Sequence, residues 1–161
     1  MRARVVSEKF GHQLELTLEN RLSSILARAG TEAALKVGIL EGATTPDGQS
    51  IAQYAFWNEF GTKFAPARPF LRQSVTNNKT KWLGVLKTAL AGGKSAVDAF
   101  TLVGEVARAD IIKEIQNGNF VPNAPRTIAK KRAAGKTEPD HPLIDTGLMM
   151  KAVEYEVTDE L

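Results

Sequence analysis

The stretch Ser50–Arg72, SIAQYAFWNEFGTKFAPARPFLR, decides the fold, because it encodes a helix, a stiff loop and the start of a second helix. Ser50 and Gln53 have capping-box spacing, so each can satisfy a backbone donor at the start of a helix. The apolar residues that follow predict a short, mostly buried helix that ends at Gly61. The loop from Gly61 to Pro69 contains two prolines and a glycine, which leave no room for regular structure. Pro69 suits the first turn of the next helix.

On both sides of this stretch, the spacing of apolar residues predicts four further helices and two strands. Three- and four-residue spacing indicates a helix, and a short apolar run or strict alternation indicates a strand. The predicted helices cover 10–29, 69–90, 95–116 and a short 126–133, and the predicted strands cover 33–40 and 152–157. Ser95 and Asp98 form a second capping box. The sequence thus predicts an α+β fold with about four helices packed on a small antiparallel sheet of two to three strands, in which the two predicted strands pair.

The composition excludes several classes of protein. With 161 residues the chain is long enough for one domain with a substantial core, and we assign 1–161 to a single domain. The absence of cysteine excludes disulfides, zinc–thiolate sites and cysteine nucleophiles. No run approaches the roughly 18 consecutive apolar residues of a membrane helix, so we expect no contact with a membrane. Only two histidines, His12 and His141, are present, and we expect neither a metal nor a cofactor.

Two stretches carry positive charge without any acidic residue, although the net charge of the chain is only +3. The stretch 61–94 has seven basic residues and the stretch 126–136 has five. Such clusters can contact phosphate groups or an acidic protein surface, or can form a solvated helix face. The second stretch falls within 119–142, which we expect to be a flexible basic loop. Its candidate residues for contact with DNA or an acidic partner are Lys130, Lys131, Arg132 and Lys136.

Asp145-Thr146-Gly147, preceded by two apolar residues, matches the active-site signature of aspartic proteases. That chemistry needs two carboxylates about 3 Å apart that share a proton, and in a short chain the second would come from a homodimer. Only 14 residues follow Gly147, too few for the strands that complete such a fold. The alternative is a turn in which Asp145 accepts hydrogen bonds from nearby backbone N–H groups and Gly147 takes a positive φ. We favour the turn and expect no catalysis.

Two motifs in a fixed order resemble a family of phage proteins. The first is Asn58–Thr62, NEFGT, followed by Pro66–Arg72, PARPFLR, and the second is Pro142–Gly147, PLIDTG. The pair resembles the tail-completion and head–tail joining (neck) proteins of tailed bacteriophages, the gp10-like family of phage HK97. The segment Thr127–Arg132, TIAKKR, is similar to the TxxxK segment that precedes PLIDTG in that family. The resemblance covers about Leu35 to Val157.

The resemblance implies a structural virion protein at the neck or the tail-proximal end, made in the bacterial host cytoplasm. It implies packing as a ring of copies, between a tail tube or tail terminator protein and the head–tail connector or adaptor proteins. Packaged double-stranded DNA passes through such a joint, so basic residues can contact it without reading its sequence. In the loop, we expect Glu59 to pair with either Arg68 or Arg72. The residues that we assign to the assembly surface are Asn58, Glu59, Phe60, Gly61, Thr62, Pro66, Arg68, Pro69, Phe70, Leu71, Arg72, Asp145, Thr146 and Gly147.

Overall fold

The fold is a mixed α+β arrangement, as predicted. A computed structural model describes the backbone of residues 3–7, 12–16, 33–40 and 42–158, and the side chains of the last two ranges. The strands are β1 (Ala3–Ser7), β2 (His12–Leu16), β3 (Ala34–Ile39) and β4 (Val153–Thr158). The helices are α1 (Ile51–Phe60), α2 (Phe70–Ala91), α3 (Ala96–Asn117), α4 (Pro125–Ala133) and α5 (Leu148–Lys151).

The predicted pairing of the strands at 33–40 and 152–157 is confirmed. β3 and β4 are antiparallel, with Ala34 opposite Thr158 and Ile39 opposite Val153. The inward face of β3 is apolar, and Val153 is fully buried, so the pair forms one wall of the core. β4 therefore lies beside β3, although more than a hundred residues separate the two strands in the sequence.

The predicted helix over 10–29 is wrong over 12–16. These residues form β2, which pairs antiparallel with β1 so that Ala3 lies opposite Leu16. The physical reason is local alternation: in HQLEL the leucines alternate with Gln13 and Glu15, which is the two-residue period of a strand. The remainder of that prediction, 10–11 and 17–29, lies outside the described residues.

Both predicted capping boxes act as N-caps. The Oγ atom of Ser50 accepts a hydrogen bond from the N–H of Gln53 at 3.4 Å, and the Oγ atom of Ser95 accepts one from the N–H of Asp98 at 3.1 Å. These bonds satisfy backbone donors that a helix start leaves unpaired. They place the starts of α1 and α3 within a residue of the predicted positions, whereas α5, with four residues, was not predicted.

The core lies where α2 and α3 pack against each other and α3 packs against the β3–β4 sheet. The indole N–H of Trp82 donates to Oδ2 of Asp110 at 2.7 Å, which fixes α2 on α3. At Gly104 a Cβ atom would lie 2.4 Å from the ring of Tyr155, so the absence of a side chain lets α3 approach β4 closely. The largest fully buried side chains are Trp82, Phe70, Ile111, Ile115, Glu59, Val153 and Ser74.

Candidate assembly surface

The buried carboxylate of Glu59 joins α1 to α2. Glu59 lies in the last turn of α1 and is only 2% exposed. Its Oε2 accepts a hydrogen bond from the N–H of Leu71 at 2.9 Å, and its Oε1 accepts one from the N–H of Arg72 at 3.1 Å. The N-cap residue of α2 is Pro69, whose side chain makes no capping bond, so Glu59 supplies the cap from another helix. The negative charge also faces the positive end of the α2 dipole.

Arg72 is the partner of Glu59 among the two candidates that the sequence left open. Its Nε donates to Oε1 of Glu59 at 2.8 Å, and its Nη2 donates to the backbone oxygen of Glu59 at 2.8 Å. The guanidinium also lies 4.8 Å from the centroid of the Phe60 ring, within cation–π range. The buried negative charge is thereby compensated by a cation and by two backbone donors.

The loop between α1 and α2 is stiffened by Thr62. The Thr62 hydroxyl accepts hydrogen bonds from the N–H groups of Phe64 and Ala65, at 3.1 and 3.0 Å. The N–H of Thr62 donates to the carbonyl of Ala65 at 2.8 Å. One side chain and one backbone bond thus hold the tip of the loop in a tight turn.

The two ends of the loop are held close together. The N–H of Arg68 donates to the carbonyl of Asn58 at 2.6 Å, just before Pro69. Gly61 has φ 77°, and a Cβ atom there would lie 2.8 Å from the backbone nitrogen of Ala67. A residue with a side chain would therefore be strained and would also collide with the returning chain. The close approach of Gly61 to Ala67, called the crossing at Gly61 below, therefore brings together the two ends of the predicted loop.

Arg68 is buried, but it does not contact Glu59. Its Nε donates to the carbonyl of Val121 at 2.8 Å, and its Nη2 donates to the carbonyl of Pro122 at 3.1 Å and to Oδ1 of Asn123 at 3.3 Å. Burial lowers the pKa of Arg68. The arginine thus ties the loop to a segment more than fifty residues away in the sequence.

The prediction that α1 is mostly buried is wrong for its aromatic side chains. Tyr54, Phe56 and Trp57 are each more than a third exposed, and the rings of Tyr54 and Trp57 meet edge to face. Apolar residues face several sides of the helix, but its buried positions form a single stripe (Ile51, Ala52, Ala55 and Glu59). In the adjoining loop Phe64, which lies between NEFGT and PARPFLR, is 91% exposed, whereas Phe70 of PARPFLR is 0% exposed.

PLIDTG forms a turn that leads into α5. Gly147 adopts the left-handed conformation with φ 74°, as the turn interpretation requires. Thr146, rather than Asp145, accepts the backbone bond, from the N–H of Leu148 at 3.4 Å. The Asp145 side chain is exposed, and Lys136 lies 3.8 Å from it. Among the residues whose side chains are described, the ionic contact of Asp145 is therefore with a cation and not with the second carboxylate of a protease pair.

Three of the four candidate cations in the basic segment, residues 126–136, bond to or lie beside described polar groups: Lys131, Arg132 and Lys136. Lys131 is only 9% exposed, and its Nζ donates to the carbonyls of His141 and Ile144. Burial lowers the pKa of Lys131, and the nearby charge of Asp145 opposes that shift. Arg132 lies 3.3 Å from Asp140, and Lys136 lies beside Asp145. The segment 119–142, predicted to be a flexible loop, contains α4 and these contacts.

Asn123 and His141 hold the basic segment in place, a role that no local sequence pattern indicates. The side-chain oxygen of Asn123 accepts from Arg68, and its Nδ2 donates to the carbonyl of His141 at 3.0 Å. The Nε2 atom of His141 contacts the carbonyl of Gln116, which can only accept, so Nε2 carries the proton. A polar residue between prolines is typical of exposed turns, so the sequence carries no signal that Asn123 is buried.

A cleft of about 570 Å³ lies where α1, the basic segment and the PLIDTG turn meet. Buried apolar side chains such as Ile51 and Leu143 form its floor, and exposed charged side chains such as Asp47 and Lys130 form its rim. The residues that line it include Asp47, Ile51, Tyr54, Asn58, Asn123, Lys130, Lys131, Lys136, Leu143, Ile144, Asp145, Thr146, Gly147, Leu148 and Met149. The structure therefore brings together parts of both resemblance motifs and of the basic cluster.

Within the described part of the chain, no helix is long and apolar enough to cross a membrane. The described residues also include no group of three or more His, Asp or Glu side chains placed to hold a metal ion. Comparisons of the chain with protein-family models, with curated proteins and with solved structures found no match. The family resemblance therefore rests on the motifs themselves.

Proposed function

We propose that the chain is a structural virion assembly protein that completes a phage tail and joins it to the head, without catalysis. It acts at the neck or tail-proximal end of the virion, after synthesis in the bacterial host cytoplasm. Its partners there are a tail tube or tail terminator protein, the head–tail connector or adaptor proteins, and further copies of itself in a ring. The helices, packed on a small antiparallel sheet of two to three strands, serve as the rigid body of this adaptor.

The observation that carries the proposal is the surface that the first motif builds. The joint between α1 and α2 is held by contacts of Glu59, Gly61 and Arg72. Four aromatic side chains in α1 and the adjoining loop remain exposed: Tyr54, Phe56, Trp57 and Phe64. The rings of Tyr54 and Trp57 contact each other, and Phe56 contacts Phe60. Exposed aromatic side chains are typical anchors at protein–protein interfaces, where they contribute much of the binding energy. A joint that is already ordered loses little conformational entropy on docking. These features suit an adaptor between preformed rings.

The DNA-contacting alternative receives less support from the contacts of the basic segment. Lys131 is bonded to two carbonyls, and Arg132 and Lys136 lie beside carboxylates. Cations that are already paired within a protein release few counterions from a DNA backbone. The aspartic-protease alternative needs a second carboxylate next to Asp145. Among the described residues, the charged side chain beside Asp145 is that of Lys136.

The proposal is tested by deleting the gene from the phage that carries it and supplying variants from a plasmid. We expect the deletion to abolish plaques and to leave DNA-filled heads and separate tails in negative-stain images. Wild type and the exposed control Thr88→Ala should restore joined particles, and Trp57→Ser should restore few. Normal infectious particles from the deletion strain would contradict the proposal. Failure of a folded Asp145→Asn variant, together with loss of cleavage of a virion protein, would favour the protease alternative instead.

A further inference from the structure

Phe64 is held out from the surface in the manner of an anchor residue. Its side chain is 91% exposed, and the ammonium of Lys63 lies 5.8 Å from the ring centroid. The Thr62 bonds and the crossing at Gly61 fix the backbone on which it stands. An exposed phenylalanine on a flexible loop would lose entropy on docking, whereas this one is ordered beforehand. The loop tip therefore has the properties of a knob that inserts into an apolar pocket.

The cleft between α1 and the PLIDTG turn has the properties of the matching hole. Its floor is formed by aliphatic side chains such as Ile51, Leu143 and Met149, and its volume of about 570 Å³ accommodates an aromatic ring. Phe64 and Lys63 of the same chain do not line it. The knob and the hole are therefore separate surfaces, and among the residues whose side chains the structure describes, Phe64 does not line the hole.

The charges beside the knob and the hole are complementary at one point. Asp47 stands at the rim of the cleft, and its side chain accepts a hydrogen bond from the neutral amide of Gln49 at 2.9 Å. A side-chain hydrogen bond with Thr45 is the main cause that lowers the pKa of Asp47, so the group is ionised. Lys136 at the same rim already lies beside Asp145. Asp47 is thus the rim carboxylate available to a cation such as Lys63.

We propose that Phe64 of one copy of this chain inserts into the cleft of a second copy, with Lys63 beside Asp47 of the receiving copy. This contact is head-to-tail, because a different surface is used on each copy, and repetition of such a contact closes into a ring or continues as a filament. The inference rests on the proposed function where it concerns a ring in the virion. The contact itself is a property of the purified chain and can be measured without phage.

The chain contains no cysteine, so introduced thiols report a contact without interference. Ala65→Cys, which keeps Phe64, and Thr146→Cys, at an exposed position that lines the cleft, are made as separate proteins, mixed in equal amounts and oxidised mildly. We expect the 65–146 disulfide to form at least about tenfold faster than the disulfide of Ala65→Cys with the control Thr88→Cys, because docking raises the effective thiol concentration. The bonds are identified by mass spectrometry. Equal rates for the two pairs, or a dominant 65–65 bond that indicates a symmetric dimer, would overturn the proposal.

Sedimentation of the cysteine-free protein provides the second measurement. Phe64→Ser should raise the dissociation constant of self-association by about 30-fold or more, as expected for an anchor residue. Lys63→Glu and Asp47→Lys should each weaken association, and the two together should restore most of it. A chain that stays monomeric at its highest soluble concentration, or an oligomer that Phe64→Ser leaves unchanged, would overturn the contact. Loss of the contact in a protein that still joins tails to heads would leave the proposed function standing.

Discussion

Two regions of the molecule each bury a charged side chain, Glu59 in one and Lys131 in the other, and they do so in opposite ways. In the joint between α1 and α2, residues 58–72, Arg72 meets the carboxylate of Glu59, and that carboxylate also caps α2. In the basic segment and its turn, residues 120–147, Lys131 is buried against neutral carbonyls. In the first region the buried carboxylate contacts a group of opposite charge directly. In the second, the buried Lys131 contacts neutral carbonyls, and the oppositely charged pairs, Arg132 with Asp140 and Lys136 with Asp145, lie at more exposed positions.

The two arrangements have different consequences for the stability of the fold. A buried carboxylate that satisfies two backbone donors and a guanidinium leaves several groups unpaired when it is removed. A buried ammonium bonded to carbonyls carries its desolvation cost with less compensation. We therefore interpret the joint as the part that fixes the fold, and the basic segment as a layer held on it by Arg68 and Asn123. The three predictions below test this division, beginning with the largest effect.

The largest effect is expected in the apolar anchor of the joint. Phe70→Ala should lower the free energy of unfolding by about 3–5 kcal/mol, because it opens a cavity at a fully buried site. The matched control Phe64→Ala, six residues earlier and exposed, should change it by no more than about 0.5 kcal/mol. Urea denaturation followed by Trp fluorescence measures both. Similar losses for the two variants would show that Phe64 packs on the body of the protein.

A smaller loss is expected when the charge of the joint is removed. Glu59→Gln should cost about 1–3 kcal/mol, because the amide keeps one acceptor but leaves a backbone donor of α2 and the Arg72 guanidinium poorly satisfied. The control Glu154→Gln removes a half-exposed carboxylate that contacts Arg108, and it should cost less than about 1 kcal/mol. Equal unfolding free energies for Glu59→Gln and wild type would contradict the division of the two regions.

The smallest effect is expected at Lys131. Lys131→Met should change the free energy of unfolding by about 1 kcal/mol or less, because loss of two carbonyl bonds is offset by removal of a desolvated ammonium. Burial lowers the pKa of Lys131 in the folded state, so the unfolded chain binds the proton more tightly. Wild-type stability relative to the variant should then rise as the pH rises toward the ordinary lysine pKa of about 10.4. A relative stability that falls over that range would contradict the assigned burial effect.

Those parts of the fold that depend on neighbouring residues were predictable from the sequence. The serines at 50 and 95 cap helices because their partners lie three residues ahead, and the strand at 33–40 is marked by its own apolar run. The α+β class and the Gly147 turn follow from the same local signals. The strand at 12–16 was missed because Leu14 belongs to two patterns: it alternates with Leu16 at the period of a strand, and it begins a four-residue series with Leu18 and Leu22 that is typical of a helix.

The contacts that build the candidate surface were less predictable, because they join distant parts of the chain. The nature of Arg68 favours a carboxylate partner, yet it bonds to carbonyls more than fifty residues away. The apolar letters of α1 indicate burial, but whether Tyr54 and Trp57 are covered depends on which face the rest of the chain meets. The position of Asn123 in the structure depends on both Arg68 and His141, and no local pattern relates these three residues.

The contact between His141 and the last turn of α3 closes residues 117–140 into a loop whose two ends are fixed. Within it, Gly135 forms an exposed turn with φ 69° just after α4. The entropy cost of closing a loop grows only with the logarithm of its length, about 0.6 kcal/mol for each doubling. A longer turn at this position should therefore cost little free energy, and an affinity tag or a fluorescent label can be inserted there while both ends of the loop stay in place.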